Sequence, residues 1–145
     1  MRQVVIVDID GTISDCSARI KYLEQKNWDA FYDACGNDTP ITPICTLVNN
    51  LAKDYDIAFI SGRRESCRAV TEMWVAHYVG HFHSKRFFFR KDGDVRHDTI
   101  VKPELFEASG IPKDNVAFIL EDRNAMVARW RELGSTCLQV ADGNF

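Results

Sequence analysis

The strongest constraint on this chain is a set of five short β-branched or aromatic runs, separated by helical repeats. Val4–Val7 stops at Asp8, Ile57–Ile60 at Ser61-Gly62, and Val116–Leu120 at Glu121-Asp122; Phe87–Phe89 and Cys137–Val140 complete the set. A short, continuous apolar run is the pattern of a strand buried on both faces. Between the runs, Ile44, Leu47, Val48 and Leu51 fall on one helical face. Val70, Met73, Trp74, His77 and Tyr78 repeat the spacing, as do Met126, Val127, Trp130 and Leu133, with Gly134 as a stop signal. Strands alternating with helices predict an α/β fold: a Rossmann-like parallel sheet with helices on both faces.

The 145 residues are expected to form a single domain, 1–145. One stretch exceeds what the alternation needs. Fifty residues separate Asp10 from Ser61, whereas a crossover helix needs about a dozen. The excess, residues 14–43, predicts a small helical cap insertion beside the C-terminal edge of the sheet. Trp28, Phe31, Tyr32 and Cys35 form its helical pattern and are read as its core, and Gly36–Pro40 is read as loop.

Composition removes several classes of function. No apolar run reaches the roughly 18 residues of a membrane span, and the N-terminus lacks a signal peptide's apolar region. A cytoplasmic location and no membrane partner are the expectations. The five cysteines are odd in number and none forms a C-x-x-C pair, so neither a zinc site nor a disulfide framework is expected. The net charge of −3 argues against non-specific coating of polyanions, although residues 61–102 alone carry +4.

In open α/β sheets, ligands bind beyond the C-terminal ends of the strands. There the sequence places Asp8-Ile9-Asp10-Gly11-Thr12, Ser61-Gly62-Arg63 and Glu121-Asp122-Arg123, with Lys102 on or before the helix preceding the fourth strand and Pro103 in its first turn. Carboxylates two residues apart at a strand end can face one crevice, with Gly11 allowing a sharp exit. Hard oxygen ligands suit Mg²⁺, one carboxylate can attack phosphorus, and another can act as general acid and then base. A hydroxyl and an ammonium complete a phosphoryl site.

These residues resemble the four ordered motifs of the haloacid dehalogenase superfamily: Asp8–Thr12, Ser61, Lys102 and Glu121-Asp122. The resemblance implies a phosphomonoesterase working through a phospho-aspartate. Asp8 would be nucleophile, Asp10 acid/base, and Ser61 and Lys102 holders of the phosphoryl oxygens. Mg²⁺ would be held by Asp8, Asp122 and the Asp10 main chain. More narrowly, the chain is similar to the 3′-phosphatase domain of the T-even phage polynucleotide kinase/phosphatase. The shared words are Ser61-Gly62-Arg63, Gly93–Asp98, Val101-Lys102 and Asp122-Arg123, with Val127, Trp130-Arg131 and Gln139–Ala141 following. That likeness adds Thr12, Gly62, Arg63, Arg19 and Asp98 as substrate-binding residues. The acidic pair begins with Glu121 where the phage domain has Asp.

No G-x-x-x-x-G-K-[ST] phosphate loop occurs, so a free-standing phosphatase, phage-encoded and acting in the host cytoplasm, is expected. An insertion of some thirty residues is too small to close over the site, which suits a bulky nucleic acid end. Lys85, Arg86, Arg90 and Lys91 flank an aromatic run and are candidates for phosphate-backbone contacts. The expected partners are phosphorylated nucleic acid ends or nucleotides, and no obligate protein partner is indicated. A phosphatase of free nucleoside monophosphates, with Trp28 and Phe31 stacking the base, is the second reading. A catalytically silent module binding phosphorylated ends is the third.

Overall fold

The computed structural model describes residues 2–145. In chain order its elements are β1 (Val4–Val7), β2 (Ser14–Asp15), α1 (Ile20–Glu24), α2 (Trp28–Asp33), β3 (Thr39–Pro40), α3 (Thr42–Leu51), β4 (Asp56–Arg64), α4 (Arg68–Tyr78), β5 (Lys85–Arg90), α5 (Asp98–Ala108), β6 (Val116–Glu121), α6 (Asn124–Glu132) and β7 (Cys137–Gln139). Five strands form one parallel sheet in the order β5-β4-β1-β6-β7. Chain order therefore reverses at β1, the kind of switch point where α/β sheets open a ligand crevice.

Strand alternation sorts the core into two layers. Val5, Val7, Ile57, Phe59, Phe87 and Phe89 pack against Val48 of α3 and Trp74 and Val75 of α4. Val4, Ile6, Ala58, Ile60 and Ile119 face the other way, against Met126, Val127 and Trp130 of α6. All four β1 side chains are at most 2% exposed, as expected for a central strand covered on both faces.

Three elements differ from the sequence reading. β4 does not stop at Ser61-Gly62 but runs to Arg64, because β5 pairs with it past an irregularity between Ser61 and Arg64. Pro103 lies inside α5 rather than in its first turn, and His97 caps that helix. The helix tolerates the proline at the loss of the N–H that would have bonded Thr99. Within the reputed loop, Cys35–Asn37 is a 3₁₀ turn and β3 pairs antiparallel with β2. Residues 14–40 thus leave β1 and return through a two-strand ladder, with α1 and α2 between. Among the described residues no helix is long and apolar enough to cross a membrane.

Phe59 is fully buried and stacks on Phe87 with ring centroids 4.8 Å apart. Phe59→Ala is expected to lower unfolding free energy by about 3–5 kcal/mol, as read from the urea midpoint at unchanged m-value.

Candidate active site

The site begins where β1 ends. The Asp8 N–H still bonds Leu120 O at 3.0 Å, so the nucleophile candidate sits on the last rung of the sheet. The chain then turns through Gly11, whose φ is +83° and whose Cβ, if present, would lie 2.0 Å from Asp122 Oδ2. Only glycine allows both the left-handed turn and that approach. Asp8, Asp10, Ser61, Gly62, Asp98, Lys102 and Asp122 all border one cavity of about 510 Å³.

Two charge clusters occupy its floor. In the first, Lys102 of α5 donates to Asp8 Oδ1 at 2.7 Å and to Glu121 Oε2 at 2.8 Å. Thr12 Oγ1 donates to Asp8 Oδ2 at 2.9 Å. Burial, then the Glu121 charge, push Asp8 up to about 7 against the pull of Lys102. Burial, then the Asp8 charge, push Asp122 up to about 7 as well. Burial alone would lower the Lys102 pKa, but Asp8 and Glu121 outweigh it and keep the ammonium charged.

In the second cluster, Asp10 is ionised. Burial works to raise its pKa, but Arg63 and Arg19 hold it below the usual carboxylate value. Arg63 Nε and Nη2 donate to Asp10 Oδ1 at 3.1 and 2.7 Å, and Arg19 Nη2 donates to the same oxygen at 2.7 Å. Both arginines are anchored behind it by Asp38, which accepts from Arg19 Nε at 2.7 Å and from Arg63 Nη2 at 3.1 Å.

This arrangement revises several residue assignments. Arg19 and Arg63 are 2% and 0% exposed and do not border the cavity; their N–H groups go to protein acceptors. Both guanidiniums are turned toward Asp10 and Asp38. Thr12 is likewise fully buried against Asp8 and does not border the cavity. Asp98 accepts from Arg90 Nη2 at 2.5 Å and Arg123 Nη1 at 3.3 Å, and its carboxylate lies where a Gly62 side chain would be. Ser61 Oγ accepts the Arg63 N–H at 3.0 Å.

Two residues escaped the sequence reading. Asp38 stands in a stretch that reads as loop, yet it is the buried acceptor for both arginines. Arg90 was grouped with a basic run, yet it is 6% exposed and donates to Gly62 O, Asp94 O and Arg96 O besides Asp98. The run itself is not one surface. Lys85 and Arg86 open β5, roughly 16 Å of extended chain from its site end. Only the acidic Gly93–Asp98 context hinted at Arg90, since buried arginines need carboxylate or carbonyl partners nearby.

Asp8, Glu121 and Asp122 offer oxygens all within 4.8 Å of one another, a set that could hold a divalent cation. Glu121 is already committed, one oxygen to Lys102 and the other to the Asp122 N–H at 3.2 Å. Asp8 is bonded through both oxygens too, to Lys102 and Thr12, whereas the Asp122 carboxylate accepts from Thr12 Oγ1 at 3.5 Å and is the more loosely held ligand candidate; one or two carboxylates are what Mg²⁺ ordinarily takes. The Asp10 carboxylate lies outside this set, so only its main chain is left to serve there.

A parallel sheet with this carboxylate, serine and lysine set at its C-terminal edge defines a phosphatase of the haloacid dehalogenase type. Residues 2–145 match the family described as the phosphatase domain of polynucleotide kinase PNKP, and the chain belongs to that family. It is 34% identical to a chain in the Pnkp1/Rnl/Hen1 RNA repair complex, with TM-score 0.82, covering 99% of this chain and 44% of that one. It is 29% identical over 133 residues to an Autographa californica nuclear polyhedrosis virus protein that carries the name polynucleotide kinase/RNA ligase, covering 90% of this chain and 18% of that protein. The chain thus spans less than half the length of these relatives. A Streptococcus pneumoniae haloacid dehalogenase-like hydrolase shares the fold at 12% identity and TM-score 0.68, covering 95% of this chain and 84% of that one.

The raised carboxylates have a measurable consequence. Asp8 and Asp122 hold protons more tightly folded than unfolded, so without a divalent cation stability falls as pH rises from about 4 to about 7. A cation binds the ionised pair, so its stabilisation grows over the same window. Melting scans with chelator or Mg²⁺ at pH 5 and pH 8 should show the larger Mg²⁺-induced rise at pH 8, and Asp122→Asn should shrink it.

Proposed function

We propose that the protein is an Mg²⁺-dependent phosphomonoesterase that removes 3′-phosphates from polynucleotide ends. The observation that carries this reading is the paired set of carboxylates on one cavity floor, Asp8 beside charged Lys102 and Asp10 locked by two arginines. Membership in a polynucleotide phosphatase-domain family supports the substrate class. The similarity to a chain of an RNA repair complex points the same way.

In the proposed reaction, an Asp8 oxygen attacks phosphorus in line with the ester oxygen, and the P–O bond to the sugar breaks as the bond to Asp8 forms. Asp10, which takes up a proton from solvent as the phosphate dianion arrives beside it, gives that proton to the departing sugar oxygen. A water then attacks the phosphoryl group on Asp8, Asp10 takes its proton, and inorganic phosphate leaves with Asp8 restored. All three arginine bonds fall on Asp10 Oδ1, leaving Oδ2 as the oxygen to carry that proton. The incoming phosphate dianion raises the Asp10 pKa toward the value an acid needs. Ser61 and Lys102 bind and orient the phosphoryl oxygens. A divalent cation held by Asp8, Asp122 and the Asp10 main chain would neutralise charge on the phosphate.

Phosphate release from 3′- and 5′-phosphorylated oligonucleotides and from mononucleotides tests the reading. The 3′-phosphorylated oligonucleotide should be the best substrate, and Asp8→Asn should lower its turnover by about 10⁴-fold or more. Retention of more than a few per cent of the rate would exclude a phospho-Asp8 route, and a preference for mononucleotides would exclude the polynucleotide assignment.

Arg63→Lys keeps the charge but cannot reproduce bonds to Asp10, Asp38, Ser14 and Thr71 at once. Because Arg63 is walled off from the cavity, kcat should fall by about 10- to 100-fold while KM barely moves. A rise confined to KM would instead place Arg63 on the substrate.

A further inference from the structure

Helix α2 presents its aromatic residues unequally. Phe31 and Tyr32 are 7% and 9% exposed, whereas Trp28 is 52% exposed and borders the same cavity as the carboxylates. An exposed indole facing water forgoes a large burial gain, so its placement at the mouth of a phosphoryl site is informative. It is also held in place. Trp28 stacks on Tyr32 with centroids 6.3 Å apart and planes inclined at 26°, and meets Phe31 edge-on at 6.2 Å.

Both supporting rings are tied to the site. The Tyr32 hydroxyl donates to Gly62 O at 3.3 Å, on β4 next to Ser61. The Phe31 ring carries the Arg19 guanidinium 4.4 Å from its centroid, and Arg19 bonds Asp10. The aromatic wall therefore stands at a set distance from the phosphoryl position. Ile20, Leu23 and Phe31 line the same cavity, as do Tyr32 and Arg64, whose guanidinium lies 4.6 Å from the Tyr32 ring centroid.

Resting on the phosphatase reading above, we infer that Trp28 is a stacking platform for the nucleobase next to the scissile phosphate. The occupant is a flat ring joined to a phosphate ester through a sugar, which a nucleic acid end or a free nucleotide supplies. The platform takes the face of the base, a contact that every base can make. Stacking one base on an aromatic side chain is worth about 5- to 150-fold in binding. This splits the aromatic trio expected as insertion core, since two of its members are core and the third is surface.

Trp28 is also the one exposed tryptophan of the three, because Trp74 and Trp130 are 4% and 1% exposed. The test uses full-length protein and three substrates: a 3′-phosphorylated trinucleotide, the same trinucleotide with a stable abasic 3′-residue, and a 3′-mononucleotide. Titrating Asp8→Asn with the base-bearing trinucleotide should quench tryptophan emission, and the abasic one should not. Wild-type kcat/KM should favour the base-bearing over the abasic end by about 5- to 150-fold. Trp28→Ala should erase that preference, while Trp28→Phe should retain most of it and abolish the quenching. A preference that survives Trp28→Ala, or absence of quenching, overturns the platform. Quenching and turnover with the mononucleotide but not the trinucleotide would uphold the platform and overturn the strand-end assignment.

Discussion

The Arg63 guanidinium has no contact with solvent, so protein groups must satisfy it. Its partners come from four other segments: Asp10 after β1, Ser14 of β2, Asp38 before β3 and Thr71 of α4. One side chain of β4 thus joins the central strand, the inserted segment and a covering helix. Removing one partner of such a buried pair leaves an uncompensated charge, at a cost of about 3–5 kcal/mol. The placement of Asp10 and the anchorage of residues 14–40 depend on this one cation.

The two motif aspartates end up in opposite electrostatic settings although only Ile9 separates them. Asp8 faces two acidic neighbours and one ammonium, which leaves it short of positive charge until a divalent cation arrives. Asp10 faces two guanidiniums and is ionised. Lys102, fixed between Asp8 and Glu121, keeps the first group from drifting further toward the neutral acid.

The inserted segment is short, and it shapes one wall of the cavity instead of enclosing it. Its buried half, Phe31, Tyr32 and Cys35, packs with Cys67 from the start of α4. Its exposed half points Trp28 at the crevice.

Much of this was legible from the chain alone. The β-branched runs and helical repeats specify a doubly covered parallel sheet, because apolar period reports burial directly. Asp8, Asp10, Ser61, Lys102 and Asp122 were readable because each follows or faces a strand end, and strand ends converge in such sheets. Other features needed the tertiary structure. Arg19 and Arg63 read as substrate contacts, since a sequence cannot tell a cation that faces ligand from one that faces a buried carboxylate. Asp38 and Arg90 lay in an apparent loop and an apparent basic run, and their roles arise from partners 25 and 28 residues away in the chain. Trp28 looked like its helix neighbours. Local spacing dictates which residues share a face, whereas long-range packing decides what that face meets: core, counter-charge or open cavity.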